Sequence, residues 1–185
     1  MNHSKRLLFG ALVAAMTLGF ASSAAAQEYT IDGAHSNAYF AVGHLGIGMF
    51  QGMFLKVEGT IDDGKSIDLA IDTNSVFTAD KKRDEHLKGP DFFNAKQFPK
   101  MTFKSKSVKK AGDKFKVTGT LTIRGVSKDI TVDATRIGGG KDPWGKDRVG
   151  YWVEFKINRL DYGVSFMPDG LGKEVTVRVS VEAVK

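Results

Sequence analysis

The chain has 185 residues, a formal net charge of +6, 26% charged residues and no cysteine. That length suits a single domain, and the missing cysteines exclude disulfides, thiol nucleophiles and thiolate metal sites. The lysines are scattered rather than blocked, which argues against a nucleic-acid partner and is compatible with transient contact at an anionic membrane surface.

Residues 1–26 read as a cleavable signal peptide. Lys5 and Arg6 precede an apolar core, Leu7–Ala21, and Ala24-Ala25-Ala26 supplies the small cleavage residues. The core is about 15 residues, short of the ~20 that a spanning helix needs. Residues 27–185 are then one exported domain, expected in a Gram-negative periplasm. A homodimer is left open.

Tyr29–Asp32 is a short first strand. Asn37–His44 is a second, with Ala38, Phe40 and Val42 on one face. Leu45–Phe54 is apolar on both sides and carries Gly46, Gly48 and Gly52, so it reads as a barrel corner or as the rim of a cavity. Leu55–Ile61 is a strand with Leu55, Val57 and Ile61 inward; Asp62-Asp63-Gly64 turns the chain, and Ser66–Thr73 returns. Residues 79–89 form the one helix, capped by Thr78 or Asp80 and stopped by Gly89-Pro90.

From Lys100 the period of two resumes, through Met101, Phe103 and Ser105, then Phe115, Val117, Gly119, Leu121 and Ile123. Asp129–Ile137 is the next strand, and 138–147 a glycine-rich loop. Arg148–Arg159 presents Val149, Tyr151, Val153, Phe155 and Ile157 on one face. After a loop at 160–172, Lys173–Lys185 alternates Val175, Val177, Val179, Val181 and Ala183 against polar residues. The expected fold is all-β: an antiparallel barrel of about eight strands with one short helix. At that size the interior is either filled or holds one slender ligand. Gly59, Gly119, Ala134 and Ala183 are small interior positions that would leave room.

Candidate chemistry is sparse. His35, His44 and His86 lie on different elements at irregular spacing, so no metal site is expected. His35-Ser36, with Asp32 or Asp84, lacks a nucleophile elbow and reads as a capped turn. Arg83, with Asp84 and His86, is either a helix anchor or a cation at the barrel mouth that meets a polar head group. Asp84 and His86 also admit an acid–base reading, as in a lipid hydrolase or isomerase. A barrel filled by its own side chains, serving as a stress-linked interaction protein, is a third reading. Phe92, Phe93 and Phe98, with Met49, Phe50, Met53 and Phe54, form an apolar reserve that would plug or line the interior.

YTIDGAHSNAYFAVGHLG at 29–46, KKRDEHLKGPDFFNAKQFPKMTFKS at 81–105, VTGTLTIRGVSKDITV at 117–132 and INRLDYGV at 157–164 resemble the YceI-like family of exported proteins. The resemblance implies a lipocalin-like barrel around a long apolar tunnel. It also implies a non-enzymatic binding role for polyisoprenoids, isoprenoid quinones or similar long amphiphiles, with no cofactor required. Phe40, Val42, Met49, Phe50, Met53, Phe54, Phe92, Phe93, Gly119, Leu121, Phe155 and Val177 are the expected tunnel residues. His44, Arg83, Asp84 and His86 are expected at the mouth. The 46–54 stretch departs from the family in its Met and Gly content.

Overall fold

The computed structural model describes residues 28–185. The leader expected at 1–26 lies outside them. Eleven strands form one sheet: β1 Glu28–Ile31, β2 Asn37–His44, β3 Gly48–Phe54, β4 Val57–Asp62, β5 Ser66–Asp72, β6 Val76–Phe77, β7 Lys100–Ala111, β8 Lys114–Ile123, β9 Val126–Lys141, β10 Asp147–Asn158 and β11 Leu171–Val184. The ring runs β1-β4-β5-β7-β8-β9-β10-β11, and pairing of β11 with β1 closes it. This is an eight-stranded antiparallel barrel. Closure leaves these strands no bare edge.

Two barrel strands are composite. Both β1 and β2 pair with β11, Thr30 opposite Val184 and Asn37 opposite Ser180, so the chain bulges between them. Ser36 bridges the gap: its Oγ accepts the Glu182 N–H at 3.0 Å and donates to the Glu182 carbonyl at 3.2 Å. The partner strand breaks in step, between β3 and β4. Leu55 falls in that break and is 50% exposed rather than inward, because the period of two restarts at Val57.

Two further departures follow from local physics. Gly138–Gly140 is strand, not loop: β9 continues to Lys141, with Gly138 opposite Gly150 and Gly140 opposite Arg148. Sheet pairing overrides the weak intrinsic preference of glycine. Of the small interior residues, the two glycines leave no room for a ligand. A Cβ at Gly119 would stand 2.5 Å from both the Phe103 ring and the Lys104 carbonyl. Gly59 (φ +135) sits against the Asp68 carbonyl and Ala183 is packed, while Ala134 does line the interior space.

The outer wall is wet. Lys106 and Lys116 on β7 and β8 pair with Asp129 and Asp133 on β9, Arg178 pairs with Glu154, and Thr118 faces Thr131. Such exposed pairs add little stability. They do make the outside polar and the inside apolar, the reverse of a membrane-spanning barrel. The helix α1, Lys81–Lys88, lies over one end, together with the 89–99 segment and a 3-10 turn at Arg159–Tyr162. Its N-cap is Asp80, which accepts the Arg83 N–H at 2.8 Å.

Candidate functional site

The inward rows converge on a cavity. Two clusters sit at its ends, the first closing it and the second lining it. One gathers Tyr29, Ile31, Val149 and Ala183 near the chain termini; the other gathers Phe54, Phe92, Met101, Tyr162 and Val164 under the helix. Between them Leu69, Phe103, Val132, Val153, Phe155 and Val177 point inward but remain part exposed, because the space they face is unfilled. The cavity holds about 190 Å³, against the ~10–15 Å³ that one water needs. Its lining runs along β11 from Leu171 to Val181. Ten steps of ~3.3 Å on a strand tilted ~40° give a length of roughly 25 Å. The shape suits something long and thin, and the lining makes it apolar.

Arg159 is the one charged side chain in that lining among the described residues, and it is 5% exposed. No carboxylate meets it. Its Nε donates to the Gly172 carbonyl at 2.9 Å, one terminal nitrogen to Val164 and Phe166, and the other to Leu171 and Met167. Five N–H donors thus meet five carbonyls. Burial pushes its pKa down. Nothing is left to donate to a ligand, so Arg159 fixes the 164–172 loop at the mouth.

The helix residues divide the same way. The Asp84 Oδ1 accepts both the Thr78 N–H at 2.8 Å and the Thr78 hydroxyl at 2.6 Å, and Asp84 is buried. Arg83 donates to the Thr78 hydroxyl and carbonyl, and its guanidinium lies 4.8 Å over the Phe50 ring. His86 is paired with Asp91 at 2.9 Å and makes edge contacts with Phe92 and Phe166. Asp84 and His86 are engaged separately, so the geometry does not assemble an acid–base pair. His44 packs tilted against Phe50, ring centres 4.2 Å apart.

Of the expected tunnel residues, the cavity lining includes Phe40, Val42, Phe54, Phe92, Phe93, Leu121, Phe155 and Val177. Four fall elsewhere. Met49 and Met53 pair with Gly43 and Tyr39, which puts them on the outer face of the β2–β3 ribbon. Phe50 faces inward opposite Val42 but sits under Arg83. Gly119 is sealed off by the Phe103 ring. The sequence reading missed Arg159 as a lining residue; Leu69, Phe103, Val132 and Val153 fall in its alternating rows but not among the expected tunnel residues. The aliphatics and Phe103 are signalled by the period of two; Arg159, bonded only to backbone carbonyls, leaves no such mark.

At the far end, Arg148 binds Asp142, Asp32 and Glu182 at 2.6–2.8 Å. The hydrogen bonds from Arg148 and His35 hold the Asp32 carboxyl far below its usual range. Asp32, His35 and Glu182 place ligand atoms within 4.8 Å of one another, but the guanidinium already supplies the cation there. Nearby, the Tyr151 hydroxyl bonds Asp63, and burial followed by that bond pushes the phenol upward.

The YceI-like domain model matches residues 29–183. Protein YceI of Salmonella arizonae is 39% identical over 189 residues, covering 98% of both chains. The YceI protein of Campylobacter jejuni is 38% identical, with a TM-score of 0.69 over 77% of this chain and 88% of that one. BcnA of Burkholderia cenocepacia is 26% identical, with a TM-score of 0.72 over 83% of this chain and 99% of that one. A polyisoprenoid-binding domain from Saccharophagus degradans shares the fold at 18% identity, with a TM-score of 0.68 over 84% of this chain and 97% of that one.

Proposed function

This chain belongs to the YceI-like family, and from that premise we propose that it is a carrier that buries the chain of an isoprenoid, an isoprenoid quinone or a similar long amphiphile inside its barrel. The observation that carries the reading is the unfilled middle layer: inward apolar side chains stay part exposed around a narrow cavity that runs up to the cluster under the helix and is closed by packed Val149 and Ala183 at the other end. A folded core closes such space, because each unmatched apolar surface forfeits contacts. A bound hydrocarbon would restore them, at about 0.8 kcal/mol per buried CH₂. A fold-sharing domain that binds polyisoprenoid supports the choice of cargo. The head group would rest at the helix end, where Arg83, His44 and His86 stand. The signal-peptide pattern of the sequence at 1–26 is the support for export, with the periplasm as the proposed place of action.

Val177→Phe tests this reading. Val177 lines the open space, so a phenyl ring there would take up cavity volume. The variant should keep its barrel by circular dichroism and lose uptake of a fluorescent farnesyl or geranylgeranyl probe. Undiminished uptake by a verified, folded Val177→Phe protein would place the ligand elsewhere. Gly119→Phe is the wrong variant for this purpose, since its ring collides with Phe103 and the β7 backbone.

A further inference from the structure

The β2–β3 ribbon ends in a tip whose apolar side chains at Ile47 and Met49 are exposed and do not fill the core. His44–Leu55 contains no Asp, Glu, Lys or Arg, in a chain that is 26% charged. Yet Leu45 is 51% exposed, Ile47 87% and Met49 60%. Leu45 (φ +53) and Gly46 (φ +65) make the turn, with the Ile47 N–H on the His44 carbonyl. Asn-Gly is the ordinary choice for such a pair, so the leucine is placed against the local preference. A Cβ added at Gly46 or Gly48 would meet nothing within 4 Å; the tip stands clear of the barrel.

The tip is not isolated. The Leu45 N–H donates to the Gly170 carbonyl at 2.7 Å, which joins it to the 164–172 loop. Phe166 on that loop is a further exposed apolar side chain. Leu171 and Val42, immediately behind this rim, already line the cavity. At the opposite end the lining stops at Tyr151 and Val181, in front of packed Val149 and Ala183. The apolar rim is therefore continuous with the cavity at one end only. Arg83, over the Phe50 ring, and Lys173, two residues beyond Leu171 opposite His44, flank it; neither is in an ion pair among the described residues, Asp169 is the acidic residue of the abutting loop, and Glu174 beside Lys173 is paired with Lys156. The surface is apolar at its centre and carries cations at its edge. Those are the features of a side chain cluster that enters an anionic bilayer interface.

We propose that this rim is a membrane-docking surface: Leu45, Ile47, Met49 and Phe166 insert among lipid acyl chains, so that the cavity opens onto the bilayer. The choice of a lipid surface as occupant rests on the carrier reading. A chain drawn from a membrane through water exposes every CH₂ on the way, and a rim seated in the bilayer gives it an unbroken apolar path.

The absence of cysteine makes the test clean. Ile47→Cys and Trp144→Cys, the latter at the opposite end and also highly exposed, are each labelled with an environment-sensitive fluorophore. They are mixed with vesicles of phosphatidylethanolamine and phosphatidylglycerol, with and without a nitroxide lipid. The label at 47 should shift to the blue and be quenched by the nitroxide, while the label at 144 does neither. Ile47→Asp, which touches no packed residue, should weaken partitioning by about tenfold or more. It should load a fluorescent farnesyl probe from dilute solution as the parent does. No response at 47, or an equal response at 144, overturns the proposal. So does a dimer that Ile47→Asp dissolves, because the rim would then be covered by a second copy. Cargo loading is read separately: loading with a silent label at 47 removes the docking surface alone, whereas a responsive label with no loading removes the carrier.

Discussion

Asp84 shows how a residue that invites a catalytic role is spent on the fold. One carboxylate oxygen meets both polar groups of Thr78, and the neighbouring Arg83 closes the same knot from the other side. Asp84→Ala leaves the buried Thr78 N–H without a partner and should lower stability by about 1–3 kcal/mol. His86→Ala, at a half-exposed side chain, should change it by less than about 0.5 kcal/mol. Urea midpoints compare the two. Arg159→Ala strips partners from five carbonyls and should cost about 3 kcal/mol or more. The Arg148 cluster adds a pH dependence. The folded-state pKa of Asp32 is depressed, so its stabilising share is present above the unfolded value of ~3.9 and is lost as pH falls below it. Asp32→Asn should be less stable than the parent at pH 7, with the gap narrowing as the pH falls below ~4. A gap that stays constant to pH 2 would remove the ion pair from the account.

At the scale of elements, alternation made the barrel legible. Ala38, Phe40 and Val42 on β2 and the inward rows of β8, β10 and β11 face the interior as the sequence pattern predicts, because a strand with one wet and one buried face must alternate. Where backbone pairing rather than side-chain pattern decides, the sequence was silent. The glycines at 138–140 look like a loop, but their N–H and C=O groups complete the ladder with β10. The ribbon at 45–54 is apolar on both faces, so no period distinguishes inward Phe50 from outward Met49 and Met53. Small residues were misleading for another reason: the room that glycine leaves is taken by a neighbour, as Phe103 does at Gly119. Gly119→Ala should therefore destabilise by about 1–3 kcal/mol through overpacking, which thermal unfolding would register. A neutral result would mean that Phe103 can swing into the cavity.

For the molecule as a whole, stability and cargo are linked. A ligand that binds only the folded barrel raises stability by RT ln(1 + [L]/Kd), or about 2.7 kcal/mol at a hundredfold excess over Kd. The apo protein should melt earlier than the loaded one, with the difference abolished by Val177→Phe. The fold class and family were readable from motifs spread over the chain. The position of the empty layer was not, because it depends on which side chains from eight strands fail to meet. The measurement that bears most directly on the carrier account is native mass spectrometry of the protein purified from its own cells, followed by solvent extraction of whatever is released. The account predicts one long-chain isoprenoid or comparable amphiphile per barrel. A clean apo mass, with no uptake of added isoprenoids, would contradict it.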